Sequence, residues 1–161
     1  MSEIIIREIE VRDNVAIANL IREVLLELGA PKVGTAYEDK SLDELSEVYN
    51  NPKAVYFVIE TGGKVVGGAG IYQLENTTDN ICELQKMYFL PEARGKGLGA
   101  RMMKKCVEAA KGLGYEKCYL ETLPYMKSAV KLYEKTGFKA LDKPLGDTGH
   151  YSCSEWMIKN L

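Results

Sequence analysis

Histidine is almost missing from this chain: there is one, His150. Cysteine is sparse, and Cys82, Cys106, Cys118 and Cys153 never stand two residues apart as a C-x-x-C pair. So thin a supply of imidazole and thiolate donors excludes a Cys/His zinc centre, and no metal is expected. Charge of one sign is also missing. Lys and Arg number 21 against 23 Asp and Glu, a net charge of −2, so there is no basic field to hold nucleic acid. No apolar run approaches the roughly 20 residues of a membrane span. Met1 to Arg12 has no cationic leader backed by an apolar stretch, so no signal peptide is expected. Reduced cysteines in a cytoplasmic protein follow as the simplest reading. Repeats, low-complexity tracts and linkers are absent too. The 161 residues therefore read as a single domain, 1–161, whose 46% hydrophobic and 27% charged residues suit a soluble core-forming chain.

What is present is a sequence of alternating patterns. Ile4 to Val11 reads as a strand, and Asp13 or Asn14 can cap the next helix. Ile17, Leu20, Ile21, Val24, Leu25 and Leu28 give that helix one apolar face, and Gly29 and Pro31 stop it. After a loop over Val33 to Lys40, Ser41 can cap a short helix through Tyr49. Ala54 to Thr61 and Lys64 to Leu74 form a hairpin through Gly62-Gly63. Asn76 to Asn80 turns into a fourth strand, Ile81 to Leu90, on whose alternation Glu83, Gln85 and Met87 share a face. Beyond the loop Pro91 to Gly97, Leu98, Met102, Cys106, Val107, Ala110 and Leu113 mark an amphipathic helix. A short strand over Cys118 to Thr122 follows. Met126, Ala129, Val130 and Tyr133 then line a helix closed by Gly137. Phe138 to Leu141 and Tyr151 to Ile158 are the last strands. The class is α/β: antiparallel hairpins first, then one strand-helix-strand crossover.

Arg94-Gly95-Lys96-Gly97-Leu98-Gly99-Ala100 is the most informative segment. It sets three glycines at alternate positions between a strand and a helix start. Glycine permits a sharp turn and close approach of a ligand to the backbone. The first helix amides lack internal partners and carry positive potential, which suits a pyrophosphate. Arg94 and Lys96 add cations nearby. A tight turn with no ligand is the bland reading. A dinucleotide fold is the sharper rival, since Gly95 to Ala100 satisfies G-x-G-x-x-A and Glu121 lies about 20 residues on. Pro91-Glu92-Ala93-Arg94 intervene before the glycines, however, and hairpins precede them.

With these residues in place the chain resembles the GNAT superfamily of acetyl-CoA-dependent N-acetyltransferases. Arg94 to Gly99 matches the family's Gln/Arg-x-x-Gly-x-Gly/Ala loop, and Ala129 to Phe138 matches a second motif. The resemblance implies a mostly antiparallel sheet with a central splayed parallel strand pair. It implies acetyl-CoA as co-substrate, with pyrophosphate on Arg94, Gly95, Lys96, Gly97, Leu98, Gly99 and Ala100. The pantetheine arm would lie along Met87, Tyr88 and Phe89, and Tyr133 would act as general acid near the sulfur. Many members have asparagine where this chain has Met126, which cannot make the same polar contact.

An amine must lose its proton to attack a thioester. The resemblance points to Glu83 as the base, with an exposed strand carboxylate as the bland alternative. At a reference pKa of about 4.3 it would need burial or a water relay. Glu121 is the second choice, and His150 has a suitable pKa. Tyr37, Glu38 and Asp39 fall where the family covers its acceptor pocket. Cys118 and Cys153 raise an acyl-cysteine route, but no base is placed beside either. Direct transfer in a ternary complex is expected. A small-molecule amine is the favoured acceptor, because no long charged docking tract is present, and a peptide or protein amine is the alternative. A non-catalytic acyl-CoA sensor stays as the other class, and a homodimer stays open.

Overall fold

The computed structural model describes residues 3–30, 32, 36–75, 77–122, 127–146 and 155–161. Strand β1 spans Ile4–Glu8, shorter than its apolar pattern suggests. The Asp13 carboxylate accepts the Glu10 amide at 2.8 Å and pulls Val11–Asp13 into a tight 3-10 turn, which ends the strand. Helix α1 follows over Asn14–Glu27 and buries Ile17, Leu20, Ile21, Val24 and Leu25. Each such side chain contributes roughly 1.5–3 kcal/mol on burial.

Neither expected cap serves α1 through its side chain. Asn14 instead reaches a segment 32 residues away, accepting the Ser46 amide at 2.9 Å and donating to its hydroxyl at 2.8 Å. Those bonds satisfy the start of α2, Leu45–Val48, a single turn. One 3-10 turn, Ala36–Glu38, falls within the expected loop; a second, Lys40–Glu44, replaces the first part of the expected helix, and Ser41 lies inside it rather than capping it.

Strands β2 (Val55–Thr61) and β3 (Lys64–Gln73) form the expected hairpin. Gly62 and Gly63 take φ of 58° and 78°, as a turn of this hand requires. β4 spans Ile81–Phe89, and α3 spans Leu98–Gly112. β5 (Lys117–Thr122), α4 (Lys127–Thr136), β6 (Lys139–Leu141) and β7 (Glu155–Asn160) complete the order. Gly137 closes α4 at φ 104°, while Met126 and 151–154 lie outside the described residues. The sheet has seven strands in the order β1-β2-β3-β4-β5-β7-β6. Every pairing is antiparallel except β4 with β5, which α3 connects. Ile17 of α1 meets the Gly68 face, and Lys105 of α3 stands over Phe57 on the other, so the two long helices cover opposite faces. No helix among the described residues is long and apolar enough to cross a membrane.

The face assignment along β4 needs one correction. Gln85 pairs with Gly70 and Tyr88 with Gly68, so Lys86 and Met87 together oppose Ala69. This is a β-bulge, with Lys86 at φ 50°. Glu83 and Gln85 share a face as expected. Alternation then restarts one residue late, and Tyr88 rather than Met87 falls in step with them.

Candidate active site

β4 and β5 share only three rungs: Ile81 with Lys117, Cys82 with Cys118, and Glu83 with Tyr119. Past Glu83 they part. β5 keeps its antiparallel partner β7 to Thr122, while β4 stays with β3. The resulting fork opens beside a cleft of about 620 Å³. Its walls are Met87, Tyr88 and Phe89 of β4, Arg94 to Gly99 except Lys96, Val24 and Leu28 of α1, and Ala129, Leu132 and Tyr133 of α4, with Ala93.

The glycines of the loop act in different ways. Gly95 and Gly97 hold φ of 73° and 75°. A Cβ on either would meet no protein atom within 4 Å, so they leave space open rather than fitting a neighbour. Gly99 would place a Cβ 2.9 Å from Leu132, so its role is to let α3 approach α4. Gly97 is the residue before α3, and the Arg101 amide already returns to the Gly97 carbonyl at 3.2 Å. The amides of Leu98, Gly99 and Ala100 ahead of it are the orphan donors of the helix start, suited to an anion.

The two loop cations are placed differently from one another. Arg94 donates to both Glu27 carboxylate oxygens at 2.7 and 2.9 Å, and to the Phe89 carbonyl at 3.0 and 2.8 Å. The Glu27 bond raises the guanidinium's pKa further and lowers that of the carboxyl. Lys96 instead lines a separate hollow of about 90 Å³ with Ile4, Thr61 and Glu92. Ala100 does not line the cleft.

Tyr133 is 6% exposed and meets Phe138 edge-on, with centroids 6.1 Å apart. Burial first, and the neighbouring Cys106 second, push its phenol above the ordinary value, so it stays protonated at neutral pH. Glu83 stands on the last rung of the parallel pair and is 5% exposed. It is no exposed strand carboxylate. Tyr49 donates to Gln85 at 2.5 Å, and the Gln85 amide donates to Glu83 at 2.6 Å. On β5, Tyr119 donates to Glu121 at 2.7 Å and accepts the Leu145 amide at 3.1 Å. Burial raises the Tyr119 phenol, and the charges of Glu121 and Glu83 add to that. Glu83, Gln85, Tyr119 and Glu121 thus gather at the fork.

The remaining sequence candidates separate. Asp39 pairs with Lys86 at 3.2 Å, and the Tyr37 ring lies under Arg22 and Lys32. Cys118 is buried, and its hydrogen bond to Cys82 and the burial itself raise the thiol's pKa well above its usual value. Such a sulfur stays a thiol and is a poor nucleophile. Cys82, Cys106 and Cys118 are all free. His150 and Cys153 lie outside the described residues. Among the described residues no cluster of His, Cys, Asp or Glu is arranged to hold a metal ion. Sequence reasoning missed Val24 and Leu28, whose helical spacing reads as ordinary core. It also missed Tyr49, Tyr119 and Glu27, whose partners are set by the fold.

Comparison with known proteins agrees with this geometry. The family model for the acetyltransferase (GNAT) family matches residues 21–138. An Escherichia coli K12 protein named uncharacterized N-acetyltransferase YjgM is 45% identical over 98% of this chain and 95% of its own. The mouse thialysine N-epsilon-acetyltransferase is 33% identical over 54% of this chain and 52% of its own. Among solved structures, a GNAT-family acetyltransferase from Staphylococcus aureus Mu50 superposes with a TM-score of 0.88 at 20% identity, covering 99% of both chains. The PaiA N-acetyltransferase of Thermoplasma acidophilum, solved with coenzyme A, gives 0.77 at 20% identity over 99% of both.

Proposed function

The chain belongs to the GNAT family of N-acetyltransferases, and on that premise we propose that it moves the acetyl group of acetyl-CoA directly to a small-molecule primary amine. One observation carries the reading: a single cleft is lined by Leu98 and Gly99 at the open start of α3, by Met87 to Phe89 of the diverging strand, and by Tyr133. In this reading the amides hold the pyrophosphate, with the Arg94 guanidinium nearby. The strand guides the pantetheine arm, and the thioester lies at the fork. PaiA N-acetyltransferase, which shares the fold, was solved with coenzyme A.

The amine nitrogen attacks the thioester carbonyl, and the carbon-sulfur bond breaks as the amide forms. Glu83, directly or through water, takes the proton that the nitrogen loses. Tyr133 gives its proton to the leaving thiolate and is reprotonated from solvent. Glu83 shares the sheet face of Gly68 and α1, while Tyr133 is carried by α4, which packs on α3. Base and acid thus come from different layers of the fold, so one can take the proton of the attacking amine while the other protonates the sulfur expelled when the tetrahedral intermediate collapses. Glu83 and Glu121 also favour a cationic amine at the mouth, and the thialysine acetyltransferase relative is named for an amino-acid derivative. Free buried cysteines fit a reducing cytoplasm.

The test is thiol release from acetyl-CoA across a panel of small amines and peptides, with mass analysis of the product. A small amine gaining one acetyl group is expected. Acetylation of peptides alone would move the acceptor class. Tight acetyl-CoA binding with no thiol release from any amine would favour the sensor.

A further inference from the structure

The left-handed residue of β4 is a lysine, where glycine would be the ordinary choice. Lys86 sits at φ 50°, and among the described residues it is the one non-glycine with positive φ. A lysine there is strained, so something outside the residue must hold it. Two bonds do so. The Tyr56 hydroxyl, on the neighbouring hairpin, donates to the Lys86 carbonyl at 2.8 Å, and the Lys86 ammonium meets Asp39 at 3.2 Å.

The tyrosine is built into its place. It is 1% exposed. Two glycines of β3 make the room. A Cβ on Gly68 would stand 2.6 Å from the Tyr56 oxygen, and one on Gly70 would stand 2.5 Å from its ring. β3, lying between Tyr56 and the bulge, is thus stripped of side chains where the phenol crosses it.

We propose that Tyr56 is a positioning residue, a lock that holds the Lys86 bulge and thereby sets which peptide groups of Met87 to Phe89 face the cleft. The inference rests on the acyl-CoA reading of that cleft. Successive peptide groups of a strand point to alternate edges. One inserted residue shifts that alternation by one step. Past Glu83, β4 has no ladder to β5, so the edge facing the fork is free for a ligand's amides. With the bulge in place, the arm of the cofactor meets one set of N–H and C=O groups. With it ironed out, the arm meets the other set, and its hydrogen bonds are lost. The nucleotide half of the cofactor, held by the loop, would not sense the change.

Calorimetric titration with two ligands tests this: coenzyme A, and phosphoadenosine diphosphate, which is coenzyme A without its arm. Tyr56→Phe should lose about tenfold in affinity for coenzyme A, the size expected when one buried carbonyl loses its donor, and bind phosphoadenosine diphosphate as the wild type does. Equal weakening of both ligands would mean general loosening and would overturn the lock. So would unchanged affinity for both. Because Tyr56→Phe removes a buried bond, a second pair of variants reads the bulge directly. Lys86→Gly accepts φ 50° and keeps the carbonyl, so it should hold coenzyme A within about twofold of wild type. Lys86→Val resists that φ and should lose about tenfold. Glycine losing as much as valine would assign the effect to the Asp39 ion pair and overturn the role of Tyr56. Wild-type protein that bound neither ligand would overturn the acyl-CoA reading, and the lock with it.

Discussion

The Arg94 guanidinium grips the Glu27 carboxylate at 2.7 and 2.9 Å, joining the phosphate-type loop to the end of α1 across 67 residues of sequence. Glu27 is well exposed, so the pair adds little to stability. Its charge nevertheless stands beside the proposed pyrophosphate site. Glu27→Gln leaves Arg94 held by the Phe89 carbonyl and removes one repelling charge. Affinity for coenzyme A should rise by roughly two- to fivefold at low salt and return to the wild-type value at high salt. Titration at two ionic strengths checks both the sign and the screening. A loss of affinity in low salt would show instead that Glu27 holds the arginine in place.

Tyr133→Phe keeps the ring against Phe138 and removes the proton donor. Turnover should fall by roughly 10²-fold with affinity for acetyl-CoA preserved. Burial holds the wild-type phenol above its ordinary value of about 10, so its ionisation should not limit the rate below that pH. Steady-state rates across pH test both points. Wild-type turnover in the variant would leave Tyr133 as cleft lining.

Glu83→Gln keeps the size of a side chain that Gln85 contacts at 2.6 Å and removes its basicity. If Glu83 takes the amine's proton, kcat should fall most at low pH and recover in part as solvent deprotonates the amine. If it only binds a cationic acceptor, KM should rise with kcat nearly kept. Glu121→Gln and His150→Gln are the comparison. A selective loss of kcat in either one, with Glu83→Gln unaffected, would move the base there.

Asp13 gives folding a pH dependence whose sign the structure sets. Burial works to raise its pKa, but two hydrogen bonds from Arg7, at 2.8 and 2.9 Å, and the Glu10 amide outweigh it and hold the value below the ordinary one. A depressed carboxyl stabilises the fold above its unfolded pKa of about 3.9 and loses that contribution as pH falls through the folded value. Asp13→Asn should therefore destabilise at neutral pH by on the order of 3 kcal/mol and flatten the acid limb of the stability curve. Urea melts at several pH values measure this, and an unchanged acid limb would assign the limb to other carboxyls.

Local signals wrote much of this fold into the chain. Gly62-Gly63 placed the hairpin, the spacing from Ile17 to Leu25 placed α1, and the glycine loop placed the start of α3. What was not legible depends on partners far along the chain. Asn14 reads as a cap until Ser46 arrives beside it. Lys86 carries no sign of a left-handed bulge, because the bond that holds it comes from Tyr56 on another strand. For the same reason the alternation through Glu83, Gln85 and Met87 looked unbroken. Arg94 reads as a free cation for phosphate, yet the fold gives it Glu27 and the Phe89 carbonyl. Glu83 reads as a surface carboxylate or a base with equal ease, and only the fork buries it.

The central claim is that the loop from Arg94 to Ala100 presents its backbone to the pyrophosphate of an acyl-CoA. Calorimetric titration of wild-type protein and Gly97→Val with acetyl-CoA, and with NAD as the rival ligand, tests it most directly. A valine at φ 75° costs about 1–2 kcal/mol of folding, and its side chain extends into open cleft where phosphate must approach the amides. The account predicts that wild type binds acetyl-CoA and not NAD, and that the folded variant loses at least roughly 10²-fold in acetyl-CoA affinity, the equivalent of about 2.7 kcal/mol. Binding of NAD without acetyl-CoA, or an unchanged acetyl-CoA affinity in folded Gly97→Val, would contradict it.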